Sequence, residues 1–356
     1  MSGSVAFALL GCGRVAPKHL AAVQACPEAR LAAVCDLLPE RVRRLAEQAG
    51  VPGYTDLSEM LRRHPEIQVV SVLTPSGLHA EHGIAVAQAG RHVLVEKPMA
   101  LTVASGRALI AACDRAGVRL FVVKQNRFNP AIRAAHEALR TGALGRLTLG
   151  TVRVRWLRTQ TYYDQDAWRG TLALDGGVLA NNAAHHVDML RWFLGEPSSV
   201  FAYTTTRLVQ IEAEDVAVAV LRFAAGQLGL IEATTAARPR DLEGSLSLLG
   251  ERGSIVIGGL ALNEIVTWEV PDLPLERVGG ACGERPPDVY GFGHRAVVAQ
   301  VCACLLRGQA ALVDGEEGLR TVRLLCALYA SAAAGREVRL DDEEALERAP
   351  LGRRRT

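Results

Sequence analysis

The sequence predicts an α/β protein in two parts, a doubly wound parallel sheet followed by a region of longer, mainly antiparallel strands. Three observations carry this reading. Over the first ~120 residues, short apolar β-rich runs alternate with helical patterns, as in a parallel sheet covered on both faces. The leading apolar run, starting at Val5, stops at Gly11-Cys12-Gly13 and gives way to a helical pattern, Pro17 to Ala25. From Leu147 onward the strands lengthen and are joined by glycine turns such as Ala224-Ala225-Gly226 and Gly250-Glu251-Arg252-Gly253.

Taken in order, Leu31 to Cys35 is a strand and Pro39 to Ala49 a helix with proline at its start. Leu57 to Arg63 is a short helix, Ile67 to Leu73 a strand and Gly77 to Ala89 a helix that stops at Gly90. Arg91 to Val95 is a strand, Thr102 can cap a helix to Ala116, and Val118 to Val123 closes the unit. A second region then opens with a helix, Asn129 to Arg140. Its strands are Leu147 to Leu157, Val200 to Thr206, Ala217 to Phe223, Gln227 to Ala233 and Ser245 to Leu249. Helices Phe292 to Leu306 and Gly315 to Ala334 follow. The expected domains are residues 1–124, residues 125–340 and a charged, frayed tail, 341–356.

Composition excludes several classes of partner. A net charge of +2, with 49% hydrophobic and 22% charged residues, gives no reason to expect nucleic acid or an anionic membrane. The eight cysteines lie far apart within apolar segments and read as buried thiols of a cytoplasmic protein. Leu9-Leu10-Gly11-Cys12 has the form of a lipoprotein cleavage box, but no basic segment precedes it and its apolar run is short. No stretch is long and apolar enough to span a bilayer.

The first turn, G-x-G-x-x-A from Gly11 to Ala16, has the parts of a dinucleotide-binding unit. Gly11 permits a sharp turn, Gly13 lets the backbone approach a pyrophosphate, and Ala16 lets the helix pack on the strand. Amides at the helix start, around Arg14 and Val15, would face the phosphates. Alone, the motif fits an ordinary βα turn equally well. Asp36, at the end of the next strand, shifts the balance, because an acid there accepts ribose hydroxyls and repels a 2′-phosphate. Leu37 and Leu38 follow with no adjacent arginine, which favours NAD over NADP.

In such sheets ligands lie beyond the carboxyl ends of the strands, the edge shared by Asp36, Thr74-Pro75-Ser76, Lys97 and Lys124. Most lysines at strand ends are simply solvated. Placed after this glycine turn and Asp36, Lys97 is instead a candidate to bind a substrate hydroxyl and help remove its proton. A second cluster runs from Gly176 to Asp188, with a helix expected over Asn182 to Leu194. Asn181 and His185 share a face if its first turn is formed, and Asp188 could neighbour His185. A core histidine satisfied by backbone is the plain alternative. A metal site is not expected, since His185 and His186 diverge and no third clear ligand appears.

GCGRVAPKH, TPSGLH, VEKPMA and the H-x-x-D of His185 to Asp188 together resemble the Gfo/Idh/MocA oxidoreductases over nearly the whole chain. The resemblance implies a Rossmann domain followed by an α/β domain whose large open sheet serves oligomerisation, as a dimer or tetramer. It implies that Lys97 and His185 are catalytic. It extends the cofactor contacts to Gly11, Gly13, Arg14, Val15, Asp36, Leu37, Thr74, Pro75, Ser76, His79, Glu96 and Lys97, with Trp168 and Arg169 from the second domain. Many members carry Asp where this chain has Asn181. An amide cannot accept a proton, so His185 and Lys97 must share that task.

The blocks KQNRFNPA from Lys124, QTYYDQDAWRGT from Gln160, DLEGSLSLLGERG from Asp241 and VYGFGH from Val289 narrow the likeness. They resemble the branch that oxidises C3 of UDP-N-acetylglucosaminuronate with NAD for bacterial surface polysaccharides. A UDP-linked sugar acid needs cationic and amide partners. Lys97, Lys124, Asn126, Arg127, Arg158, Gln160, Tyr163, Asn181, Asn182 and His185 are the candidates, with Tyr162 and Tyr290 weaker. Two other readings stay open: a sugar or inositol dehydrogenase or ketoreductase of the same family, and a non-catalytic regulator that binds NAD or sugar.

Overall fold

The computed structural model describes residues 3–278 and 291–352. The described residues divide into two compact units, one drawn from 1–100, 104–124 and 292–319, the other from 101–103, 125–291 and 320–356. The expectation of a continuous second domain over 125–340 is thus corrected, because 292–319 return to the first unit.

That first unit holds a six-stranded parallel sheet of β1 (Val5–Leu10), β2 (Ala29–Cys35), β3 (Gly53–Tyr54), β4 (Val69–Val72), β5 (His92–Val95) and β6 (Leu120–Val122). The spatial order is β3-β2-β1-β4-β5-β6, so the winding reverses between β1 and β4. Every residue of β1 is buried, as a central strand covered on both faces requires. Leu9, Cys12, Ala16, Leu20, Val34 and Leu45 form one apolar cluster that fixes the first helix, Ala16–Gln24, against the sheet. The returning helix His294–Arg307 buries Val297, Val298, Val301 and Cys302 and packs on that first helix and on β1 and β2. This apolar stripe explains its place in the first unit.

The other unit is built on an eight-stranded sheet: β7 (Leu147–Arg155), β8 (Pro197–Thr205), β9 (Val216–Phe223), β10 (Leu228–Thr234), β11 (Glu243–Gly250), β12 (Ser254–Gly258), β13 (Glu264–Glu269) and β14 (Val338–Arg339). Their order is β13-β12-β11-β7-β10-β9-β8-β14. All its pairs are antiparallel except β7 with β10, which run parallel in the middle. Helix Ala184–Leu194 packs on β7, β10 and β11. Gly150 and Gly229 make room for it, since a Cβ on Gly150 would lie 2.6 Å from Leu194. Among the described residues no helix is long and apolar enough to cross a membrane. The seven described cysteines are free and buried.

The tail is not frayed where it is described. Val338 pairs with Val200, and Asp342 caps the short helix Glu343–Glu347 by accepting the Ala345 N–H at 3.0 Å. Leu346, Ala349 and Leu351 are buried, and these three apolar side chains outweigh the charges around them. Leu346→Ala is therefore expected to cost about 2–5 kcal/mol in a denaturant titration, the range for emptying a core leucine site; an unchanged midpoint would contradict the packing.

Candidate active site

In the first unit the strand ends form a connected rim. Gly11 has φ 103°, and a Cβ there would lie 2.7 Å from the Leu73 carbonyl, so only glycine fits this turn. Its N–H donates to Cys35 O at 2.7 Å. Asp36 ties the turn to β2, with Oδ2 accepting the Cys12 N–H at 2.7 Å and Oδ1 the Leu38 N–H at 2.9 Å. Leu37 beside it is 80% exposed. A Cβ on Gly13 would meet nothing within 4 Å, and the helix beginning at Ala16 has neither a side-chain cap nor an acid in its first turn. Open backbone, an uncapped helix start and a ribose-type acid at the winding reversal fit a dinucleotide. Arg14 is exposed, and Val15 half-buried, at the same turn.

His79, a candidate for cofactor contact, is buried and acts as a strap. Its ring nitrogens lie 2.7 Å from the carbonyls of Thr74 and Pro98, joining the turns after β4 and β5. Thr74 Oγ1 also meets His82 Nδ1 at 2.9 Å, Pro75 is half-buried and Ser76 buried. Glu96 is held from three directions. His19 Nε2 and His294 Nε2 approach its Oε1 at 3.0 and 3.4 Å, and its Oε2 accepts the Lys97 N–H at 3.0 Å. Burial opposes the charge on Glu96, but the two imidazole contacts overcome it and hold its carboxyl well below the usual range. Burial also lowers the proton affinity of His19, despite the Glu96 bond. These three side chains are the one described group of metal-ligand type. The His19 contact has the length of an imidazole–carboxylate hydrogen bond, and the His294 contact is longer. Lys97 itself is half-buried.

In the second unit the residues around His185 are drawn together by the turn Gln125–Phe128. Arg127 is fully buried and donates to Asp188 through Nε at 2.9 Å and Nη2 at 2.8 Å, with its guanidinium 4.7 Å above the Trp192 ring. Thr321 Oγ1 donates to the same Asp188 at 2.8 Å. Arg127, a substrate candidate, is thus engaged with Asp188 and anchors the helix. Beside it Gln125 Nε2 lies 2.9 Å from His185 Nε2. Sequence reasoning passed over Gln125, although it stands between two residues it singled out, Lys124 and Asn126. Lys124 and Asn126 are each 2% exposed, and Asn126 Oδ1 is buried with no hydrogen-bond partner.

The helix expected from Asn182 starts at Ala184, after a π-helical turn, Val178–Asn182. Asn181 therefore does not sit one regular turn before His185. Its Nδ2 donates to Asp175 Oδ1 at 2.5 Å, while Asp175 Oδ2 accepts the Gly170 N–H at 2.7 Å. The turn rests on Glu214, whose Oε1 accepts the Leu179 N–H at 2.9 Å and the Tyr329 hydroxyl at 2.7 Å. Tyr329 in turn accepts the Gly177 N–H at 2.9 Å. A Cβ on Gly177 would lie 2.1 Å from Glu214, so this position admits no side chain. Asn182 is buried.

The remaining candidates are engaged locally. Arg158 donates to Leu157 O at 2.5 Å and to Asp241 at 3.3 Å. Gln160 bonds Asp164 and both backbone groups of Gln210. Tyr163 is buried against Thr235, 3.1 Å away, and burial raises its pKa. Arg169 donates to the Tyr162 hydroxyl at 2.9 Å and lies over the rings of Tyr162 and Trp168. Tyr290 lies outside the described residues.

Comparison with known proteins identifies the family. Residues 5–124 match the model of the oxidoreductase family with an NAD-binding Rossmann fold, and residues 132–256 match the GFO/IDH/MocA C-terminal domain. D-apiose dehydrogenase of Paraburkholderia graminis is 31% identical over 348 residues, spanning 95% of this chain and 90% of its own length. The chain belongs to the Gfo/Idh/MocA oxidoreductases. Two solved members of the family are closer in sequence, both WlbA dehydrogenases in complex with NADH and UDP-GlcNAcA. That of Bordetella pertussis has a TM-score of 0.89 and 41% identity, covering 95% of this chain and 98% of its own. That of Chromobacterium violaceum has a TM-score of 0.87 and 39% identity, covering 94% and 96%.

In this Gfo/Idh/MocA chain the support under Asn181 carries a titration signature. Burial, reinforced by nearby Asp175, pushes the Glu214 carboxyl up to about 7, against three hydrogen bonds that favour its ionised form. The folded state thus holds this proton more tightly than the unfolded chain. The group costs stability as pH rises from the ordinary carboxyl range through neutrality. Glu214→Gln, which keeps an acceptor oxygen, is expected to gain Tm relative to the parent between about pH 5 and about pH 8. A Tm difference that is flat over that range would contradict the assignment.

Proposed function

We propose that this chain is an NAD-dependent dehydrogenase that oxidises the C3 hydroxyl of a UDP-linked N-acetylated glucuronic acid to the 3-keto sugar, for bacterial surface-polysaccharide synthesis. The observation that carries the reading is the likeness, over nearly the whole chain, to two dehydrogenases solved with NADH and UDP-GlcNAcA. NAD, when bound, supplies the acceptor for the hydride that leaves C3. The chain's residues position the sugar and move the proton. Lys97 donates a hydrogen bond to the C3 oxygen and favours its loss of a proton, and His185 takes that proton as the C=O bond forms. Lys124, Asn126 and Asn181 bind the sugar nucleotide, and Trp168 and Arg169 complete the cofactor contacts.

The open sheet supports a further part of the proposal, assembly into a dimer or tetramer. Tyr203, Val218, Val220 and Leu228 are exposed, and their pairings put all four on one face of the sheet. Such an apolar face suits a second copy of the chain. A second functional reading, oxidation of a free sugar, is favoured by the likeness to D-apiose dehydrogenase.

Initial rates of NAD reduction separate the two. UDP-N-acetylglucosaminuronate is expected to be oxidised with a kcat/KM at least ~10²-fold above those of D-apiose and myo-inositol, since a site built for polar groups discriminates strongly against substrates lacking them. The reverse order would replace the sugar-nucleotide reading. Lys97→Ala and His185→Ala are each expected to retain NAD binding while losing ~10²–10⁴ in turnover. Near-normal turnover in either variant would remove that residue from the chemistry.

A further inference from the structure

Gln125 is the residue the structure adds to His185. It is 2% exposed, its Nε2 lies 2.9 Å from His185 Nε2, and its Oε1 is buried with no hydrogen-bond partner. An amide nitrogen is a donor only, so in this arrangement His185 Nε2 is the acceptor and carries its lone pair there. Neutral imidazole then holds its proton on Nδ1. A buried amide oxygen left unbonded is costly and needs an explanation.

We propose that Gln125 is a positioning residue that follows the protonation of His185. While the ring is neutral, the amide N–H holds the Nε2 lone pair in place until a substrate hydroxyl takes its position. Once the proton has moved from that hydroxyl to Nε2, a half-turn of the amide brings Oε1 to accept the new N–H. The orphaned oxygen is the acceptor for the charged state, so one side chain serves both states of the base. This rests on His185 being the proton acceptor of the proposed reaction. Two further titratable groups are adjacent in the chain: Lys124, buried and next to Gln125, and His186, next to His185, where burial lowers the pKa. The other charged groups around this helix are paired. Arg127 pairs with Asp188, Arg191 with Glu196, and Arg153 and Arg155 of β7 with Glu232 of β10 and Glu243 of β11. Asp175 and Glu214 bond the preceding turn.

The test replaces Gln125 by an isosteric acid and by an apolar side chain in the full-length protein. His185 is titrated by NMR with histidine-selective ¹⁵N labelling, assigned by His185→Ala, and the pH profile of sugar oxidation is measured alongside. In Gln125→Glu a carboxylate faces Nε2, so the His185 pKa is expected to rise by about one unit or more, a tenfold gain in proton affinity. The acid limb of kcat should move up with it. Gln125→Leu should show no rise and a plateau kcat at least tenfold lower, with NAD affinity kept in both variants. An unshifted His185 titration in Gln125→Glu overturns the proposal. A shifted titration with an unmoved kcat limb upholds the Gln125–His185 coupling and removes His185 as the base, a failure of the functional reading alone.

Discussion

The buried ion pair between Arg127 and Asp188 is the constraint on which the chemistry of the second unit depends. Both partners are essentially excluded from solvent, and two charge-assisted bonds of 2.8 and 2.9 Å join them in the fork geometry that arginine offers a carboxylate. Either charge alone in that position would be costly by several kcal/mol, so the turn and the helix are committed to one relative placement. That placement brings Gln125, two residues before Arg127, to His185, three residues before Asp188. The stacking of Arg127 on Trp192 and the Thr321 hydroxyl on Asp188 close the remaining freedom.

A second constraint acts just upstream. Gly177 lies so close to Glu214 that no side chain is tolerated, and Glu214, Tyr329 and Asp175 bond the backbone or side chains of the following π-helical turn. Asn181 is thereby oriented by a carboxylate that accepts from its amide nitrogen. An acid at 181 would set two carboxyl groups at hydrogen-bond distance, where both cannot be ionised at neutral pH. The amide at this position thus suits its own neighbour, Asp175. In the first unit Glu96 does similar work, gathering His19, His294 and the Lys97 amide into one buried cluster.

How much of this the sequence discloses follows from the range of each interaction. Gly11 and Asp36 are legible because turn, strand end and acid lie within one βαβ unit, where spacing and residue type carry the meaning. Lys97 is legible as a strand-end residue for the same reason. The partners that come from far along the chain are not. Nothing near Glu96 announces His294, and nothing near Asn181 announces Glu214 or Tyr329. An arginine such as Arg127 fits a phosphate or carboxylate ligand as well as it fits Asp188, and its buried pairing with Asp188 is visible only in the packing. The π-helical turn escaped because its residues, Val-Leu-Ala-Asn-Asn, continue a helical pattern without a break. The charges of the closing segment point to fraying, yet Leu346 and Leu351 are buried and hold its described part in place.

In the proposed reaction the C3 hydrogen would pass as hydride to bound NAD while His185 takes the hydroxyl proton. The most direct measurement is isotope transfer with UDP-N-acetylglucosaminuronate deuterated at C3, analysed by mass spectrometry of the cofactor after one turnover. The deuterium is expected on the reduced nicotinamide. Unlabelled reduced cofactor, or label lost to water, would contradict it.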